Sequence, residues 1–238
     1  MSMERIEQIN NRIEQLEERR SALQEANEER QYYIDRWMAE HEIRNLLSRF
    51  AIYYSAGQFK RVAKFFTVTD QGYLQISDVG IYEGRDAING YFAQLEENAI
   101  EGSFRMMPLT SEVLELADDM ESAQAMYFIN GISAVKDPEH PEAPAGDVWI
   151  NDKFAAELVR ENGRWVILRL NINEAMRALY HKSWGDYAAA PEYPAFDKFP
   201  LPTRPATRQK PFSADRNSQK NLTTPEPYAT FEDIVDHN

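Results

Sequence analysis

The chain has 238 residues, 43% of them apolar and 12% aromatic, and a formal charge of −13. That is enough apolar material to fill a core, which excludes disorder throughout, and the acidity excludes a phosphate-backbone partner unless a basic face is concentrated somewhere. No run reaches the roughly 20 apolar residues of a membrane helix, and the absence of cysteine removes disulfides, thiolate nucleophiles and thiolate metal sites.

From Met3 to about Arg30 almost nothing breaks a helix. Ile6, Ile9, Ile13 and Leu16 recur at alternating three- and four-residue steps, Leu23 keeps the register, and Arg20 interrupts one inward position. A seam of about three heptads is marginal by itself. Residues 1–30 are therefore read either as a contact between subunits of a homo-oligomer or as a strut along their own domain, since an apolar stripe must be covered somehow. Charges from Glu4 onward argue against a secretory signal, and the lack of cysteine fits a reducing compartment, so a cytoplasmic location is expected.

Residues 31–173 read as the domain proper. Ile43, Leu46, Leu47, Phe50, Ala51 and Tyr54 lie at helical spacing, with Gly57 as a stop, and a second short helix holds Val62, Ala63, Phe65 and Phe66. Tyr73 to Ile76 reads as a strand, and Arg85 to Leu95 as a helix with Ile88, Tyr91, Phe92 and Leu95 on one face. Further strands are expected at Met107 to Leu116, Ala123 to Ser133, Val148 to Arg160 and Arg164 to Asn173, the last two joined through Asn162-Gly163, a strong hairpin signal. Helices followed by an antiparallel sheet make the α+β pattern.

Residues 174–238 hold most of the prolines, among them Pro191, Pro194, Pro200, Pro202, Pro205 and Pro211, with Tyr193, Phe196, Phe199 and Phe212 between them. Proline denies this stretch regular ladders, and its aromatics gain about 1.5–3 kcal/mol each when covered, so it is expected to wrap over the domain as an extended arm. The stretch after Ser213 is polar enough to be loose.

The order of signals resembles a SnoaL-like domain of the nuclear transport factor 2-like superfamily. A helix ending at Arg49-Phe50 runs into Ser55-Ala56-Gly57-Gln58-Phe59. Tyr82-Glu83-Gly84-Arg85-Asp86-Ala87-Ile88 is similar to the lead-in to that family's third helix, and Gly163-Arg164-Trp165-Val166-Ile167 with Arg169 is similar to its closing strand. The resemblance spans about Glu42 to Leu170. It implies a cone-shaped α+β barrel, in which a curved antiparallel sheet and a helical lid enclose a pocket for a small apolar molecule. Where many dehydratases and cyclases of this kind have Tyr and Asp on the first helix and His on a central strand, this chain offers Phe50, Ser55 and Met107.

The candidate chemistry therefore rests on other residues. Phe50, Tyr53, Tyr54 and Gly57 share a helix face, so if Phe50 points into the cone Tyr54 does too; its phenol would donate to a substrate oxygen or sit at a wet rim. In Val148, Ile150, Asp152, Phe154, Ala156 and Leu158 one strand face is apolar except for Asp152. A carboxylate there is costly unless paired or working in a cavity. Asp152 is either a general base whose ionisation the apolar surroundings raise, or a group in water at the sheet edge or paired to Arg169. Lys153 takes its place if a bulge exchanges the two faces. The resemblance places Arg169 at the cavity, where a guanidinium would hold an oxyanion, with Asn171 beside it. The other reading of Arg169 is a surface or salt-bridging arginine. Arg105 is a further anion-binding candidate, and Met106 and Met107 read as adaptable lining.

His41, His140, His181 and His237 show no ligand spacing, no His-Glu-x-x-His helix, Gly-x-Gly-x-x-Gly turn or phosphate loop occurs, and neither metal nor cofactor is expected. The expected function is a cofactor-independent lyase or isomerase acting on an aromatic or polycyclic small molecule by proton abstraction and oxyanion stabilisation, with Asp152, Tyr54 and Arg169 catalytic and Phe50, Tyr53, Arg105, Met107 and Asn171 binding substrate. The resemblance suggests a dehydratase, a cyclase or a deformylating lyase of the lignin-derived diarylpropane type, in a dimer or trimer, without nucleic acid or membrane. The alternatives are a non-catalytic ligand-binding or assembly module and an oxygenase small subunit of the same fold.

Overall fold

A computed structural model describes residues 3–76, 79–136, 142, 146–180, 183, 200–207 and 224–233. The chain divides into two compact units, residues 1–42 and 43–238. Helix α1 (Met3–Ser55) is continuous. The sequence suggests separate helical stretches on either side of residues 31–42, but no glycine or proline interrupts the backbone before Gly57, so the hydrogen-bond ladder runs on.

In the second unit α1 ends at Ser55, and α2 (Phe59–Val62) tightens into a 3₁₀ turn at Ala63–Phe65. Strands β1 (Tyr73–Ile76) and β2 (Gly80–Glu83) form a hairpin, and α3 (Arg85–Glu97) follows. The remaining strands are β3 (Phe104–Met106), β4 (Leu109–Leu116), β5 (Ser122–Val135), β6 (Gly146–Glu161) and β7 (Arg164–Leu179). They form one curved, unclosed sheet in the order β2-β1-β7-β6-β5-β3, with β4 also on β5. The β6–β7 hairpin turns at Asn162 and Gly163, both at positive φ as an Asn-Gly turn requires.

Two details differ from an all-antiparallel sheet with a single strand from Met107. Strand β1 runs parallel to β7, Tyr73 opposite Arg169 and Ile76 opposite Ile172, because the β1–β2 hairpin lies along the free side of the closing strand. Pro108 cannot donate to a ladder, and the edge beside β5 is accordingly split into β3 and β4.

The core lies between one sheet face and the helices. Ile43, Leu47 and Phe50 of α1, Phe59 and Val62 of α2, and Ile88, Phe92 and Leu95 of α3 are buried, as are Phe154, Ala156 and Leu158 of β6 and Ile167 and Leu170 of β7. Phe50 meets Phe154 edge-on at 5.4 Å between ring centroids, and Phe66 lies 5.7 Å from Phe92.

Bulges decide which side chains share that face. In β7, Glu157 faces Arg169 but Leu158 faces Ile167, so Leu168 is an extra residue; likewise Asn151 faces Met176 and Asp152 faces Glu174, so Ala175 is extra. Both extra residues belong to β7. The alternation of β6 is therefore undisturbed, and Asp152 keeps the inner face while Lys153 takes the other.

Two described pieces of the proline-rich stretch lie on the domain. Residues 200–207 run along β2: the Ile81 amide donates to the Arg204 carbonyl at 2.9 Å, the Thr203 amide donates to the Ile81 carbonyl at 2.8 Å, and Arg204 pairs with Glu83. Tyr82 Oη donates to the Pro200 carbonyl at 3.0 Å. At the β4–β5 turn, the Asp118 amide donates to the Tyr228 carbonyl at 3.2 Å, and the Tyr228 and Ser122 hydroxyls meet at 3.2 Å. Pro191, Tyr193, Pro194, Phe196, Phe199, Pro211 and Phe212, and also His140, His181 and His237, lie outside the described residues.

Gly80 makes the first clip possible. It sits at φ +140°, and a Cβ there would fall 2.5 Å from Pro202 Cβ. Gly80→Ala is expected to displace residues 200–207, seen as faster hydrogen exchange of the Ile81 and Thr203 amides.

The tyrosines at these clips also predict an alkaline transition. Burial pushes the Tyr82 phenol from 10.0 up to about 12, and burial is again the main cause that brings Tyr228 to about 12. A folded-state value above the unfolded one stabilises the protein fully below pH 10 and is lost as pH rises towards 12. Denaturant titrations across that window should show falling stability, and Tyr82→Phe and Tyr228→Phe should each flatten the slope.

Candidate active site

Asp152 is 5% exposed, on a strand face otherwise occupied by Ile150, Phe154 and Ala156. Its cross-strand partners are Ile129 on β5 and Glu174 on β7. Arg177 follows on β7, opposite Ile150, and its Nη2 lies 2.9 Å from Glu174 Oε2, with side chains 12% and 9% exposed. Two carboxylates and one guanidinium thus share the inner sheet face at its polar end. Burying such charges is favourable only where they offset one another or meet a ligand.

Beside them, from Phe154 on the same strand face, runs an aromatic row. From Phe154 the contacts pass to Phe50, then to Tyr54, whose ring stacks on Phe50 at 6.0 Å, then to Phe59, edge-on to Tyr54 at 5.2 Å. Arg105 Cζ lies 5.4 Å from the Phe59 ring centroid. Arg105 pairs across β3–β5 with Ser133, and Ser133 across β5–β6 with Val148, which leads back through Ile150 to Asp152. These contacts close a circuit that frames the stretch of sheet carrying Asp152. Ser133 is buried, and its Oγ has no hydrogen-bond partner among the described residues.

Inside the frame, the Met107 amide donates to Ser55 Oγ at 3.0 Å. A Cβ on Gly131 would lie 2.7 Å from Met107 Sδ and 2.7 Å from the Met106 carbonyl. The glycine lets the β3–β4 break close over the sheet, so Met107 lines the frame. Tyr127, the β5 neighbour of Phe154, donates from Oη to Glu112 Oε2 at 2.5 Å, and Arg44 Nε donates to Glu112 Oε1 at 2.7 Å. Burial, reinforced by that carboxylate, pushes the Tyr127 phenol above its ordinary range.

The frame brings together Asp152, Phe50, Tyr54, Arg105 and Met107 of the sequence candidates. It separates Arg169 and Asn171 from them. Both face outward with Glu157 and Ala155, because the Leu168 bulge breaks the alternation that joins Ile167 to Arg169 in the sequence. Arg169 is paired with Glu157 at 3.5 Å, the salt-bridging alternative, and not with Asp152. Asn171 lies opposite the buried Gln75 of β1. Tyr53 turns aside, its ring stacked on Phe65 at 5.9 Å beneath the Arg61 guanidinium.

Glu174, Arg177 and Ser133 escape sequence reasoning. The signal for the first two was the lack of any proline or glycine between Gly163 and Gly185, which lets β7 run on past Asn173. Among the described residues no set of three or more histidine or carboxylate side chains converges as metal ligands would.

Curved sheet and helical cover make an α+β domain of the nuclear transport factor 2-like fold. The chain belongs to the SnoaL-like domain family, whose sequence profile matches residues 35–171. No curated protein sequence matches it. Among solved structures, a hexachlorocyclohexane dehydrochlorinase of LinA type 2 has TM-score 0.53 and 16% identity over 68% of this chain and 97% of its own. The LinA type 3 enzyme of Novosphingobium barchaimii LL02 has TM-score 0.52 and 16% identity over 63% and 95%. A candidate scytalone dehydratase of Novosphingobium aromaticivorans DSM 12444 has TM-score 0.50 and 14% identity over 66% and 94%. At such identities the likeness is one of fold.

Proposed function

We propose that this domain is a lyase or isomerase that needs no cofactor and acts on a small, largely apolar, ring-bearing molecule held on the inner sheet face beside the aromatic row. The carrying observation is the placement of Asp152, buried on an apolar strand face with Glu174 opposite it and Phe154, which Phe50 meets edge-on, two residues along the strand. In this reading Asp152 accepts a proton from a substrate carbon. The C–H electron pair becomes a double bond as an oxygen or halide leaving group departs from the adjacent carbon. Tyr54 and Ser133 donate hydrogen bonds to the departing or developing anion, and the Arg105 guanidinium supports it from the β3 side. Phe50, Phe59 and Phe154 take the ring and exclude water. The ion pair between Glu174 and Arg177 holds the polar end of the sheet in shape.

Elimination comes first because two kinds of neighbour in fold are named as a dehydrochlorinase and a dehydratase. Cyclisation, or release of formaldehyde from an aromatic substrate, would use the same acceptor and donors. The test is incubation of the purified full chain, without added cofactor, with ring-bearing alcohols and halides, reading leaving-group release and new unsaturation. Turnover that depends on Asp152 supports the reading. Saturable binding of those compounds with no turnover would leave the domain as a ligand-binding module.

A further inference from the structure

The first compact unit consists of the helical residues of α1 up to Glu42, and its apolar side chains are exposed: Ile6 by 44%, Ile13 by 48%, Leu16 by 50% and Trp37 by 64%. The spacing of three and four that begins at Ile6 does not stop at Leu23. It continues through Asn27, Arg30, Ile34 and Trp37, about five heptads in one register on a helix with no break. In that register the a positions are Ile6, Ile13, Arg20, Asn27 and Ile34, and the d positions are Ile9, Leu16, Leu23, Arg30 and Trp37.

We infer that this helix is one strand of a parallel, in-register, two-stranded coiled coil whose partner is a second copy of the same chain. Four observations choose this occupant. The β-branched isoleucines at a with leucines at two d positions suit two strands. Arg20 and Arg30 can carry their guanidinium groups out to water from the shallow core of a dimer, whereas three or four strands would bury them. Asn27 at an a position meets its own copy only when the strands are parallel and in register. Its Oδ1 accepts from Arg30 within the helix, which leaves its amide N–H groups for the other Asn27.

The fourth is charge. In a parallel pair each g residue meets the e residue of the next heptad on the other strand, which sets Arg5 against Asn10, Arg12 against Glu17 and Arg19 against Gln24. One pair is attractive, occurs twice by symmetry, and none is repulsive. An antiparallel pair overlapping the same apolar heptads would bring Arg5, Arg12 and Arg19 of one strand against those of the other. An antiparallel pair overlapping the whole length would place Leu16 beside Asn27 and Leu23 beside Arg20, stranding each polar group in an apolar layer.

The full chain carries no cysteine, so a single introduced thiol reports strand direction. The test is sedimentation of the full chain together with oxidation of a Leu16→Cys variant. A species of twice the 27.6 kDa chain mass that cross-links through position 16 is expected, and Ile13→Asp should return it to a monomer with the sheet domain still folded by near-ultraviolet circular dichroism. A monomeric native chain, a trimer or larger, or a dimer whose Leu16→Cys form does not cross-link would overturn the inference. Asn27→Leu should tighten association while admitting assemblies larger than two. A variant that stays strictly dimeric at unchanged strength would remove Asn27 from the argument and count against the register.

Discussion

Asp152→Asn is expected to lower kcat/KM on an eliminated substrate by about 10²- to 10⁴-fold, the range a positioned general base contributes. The substitution keeps the size of the side chain and removes its capacity to take a proton. Its neighbours Ile150 and Phe154 should stay in place, so KM should move far less than kcat. Arg169→Ala serves as the control, because its guanidinium lies on the outer face against Glu157 and should leave turnover within about twofold. If the two variants lost activity equally, the assignment of the inner face as the reacting face would be wrong. Circular dichroism of Asp152→Asn must accompany the kinetics, since Asp152 lies beside the half-buried Glu174–Arg177 pair.

Phe154→Ala is expected to be the most destabilising single change in the sheet domain. The ring is fully buried, meets Phe50 at 5.4 Å and Tyr127 at 6.1 Å, and joins the helices to the centre of the sheet. Truncating a buried phenylalanine costs about 3–5 kcal/mol, lost transfer energy and the cavity together. For a domain of this size that lowers the unfolding midpoint by about 6–20 °C. Phe154→Leu fills most of the space and should cost roughly half as much. Denaturant unfolding of the three proteins reads the series directly, and a loss below about 1 kcal/mol for the alanine variant would mean the ring does not bridge the two layers.

Element type was legible where one period ran without interruption. The helical face of Ile88, Tyr91, Phe92 and Leu95, the alternation around Asp152 and the Asn162-Gly163 turn each follow from local chemistry, and they appear as read. Facing on β7 was not legible. An extra residue in a strand leaves no mark in composition, since Leu168 is as apolar as its neighbours and Ala175 is small and neutral, yet each reverses the side to which later residues point. The resemblance places Arg169 at the cavity with Asn171 beside it, and the extra residue Leu168 is what turns both to the outer face; Glu174 and Arg177 read as part of the proline-rich arm, although no proline or glycine ends β7 before them. Ser133 was hidden for a different reason: a small hydroxyl gains its meaning only from the Arg105 and Val148 paired beside it.

The segment from Pro200 to Thr207 has a consequence for colloidal behaviour. Strand β2 ends the sheet on its side, and the backbone groups of Ile81 that face away from β1 are engaged by Thr203 and Arg204. A chain cut before Pro200 would present an open row of amides and carbonyls on an apolar strand. Such a margin recruits copies of itself, so the shortened protein should form concentration-dependent fibrils or amorphous precipitate where the full chain stays clear. The proline-bearing stretch would then act as a guard against self-templating, separate from any part it has in catalysis.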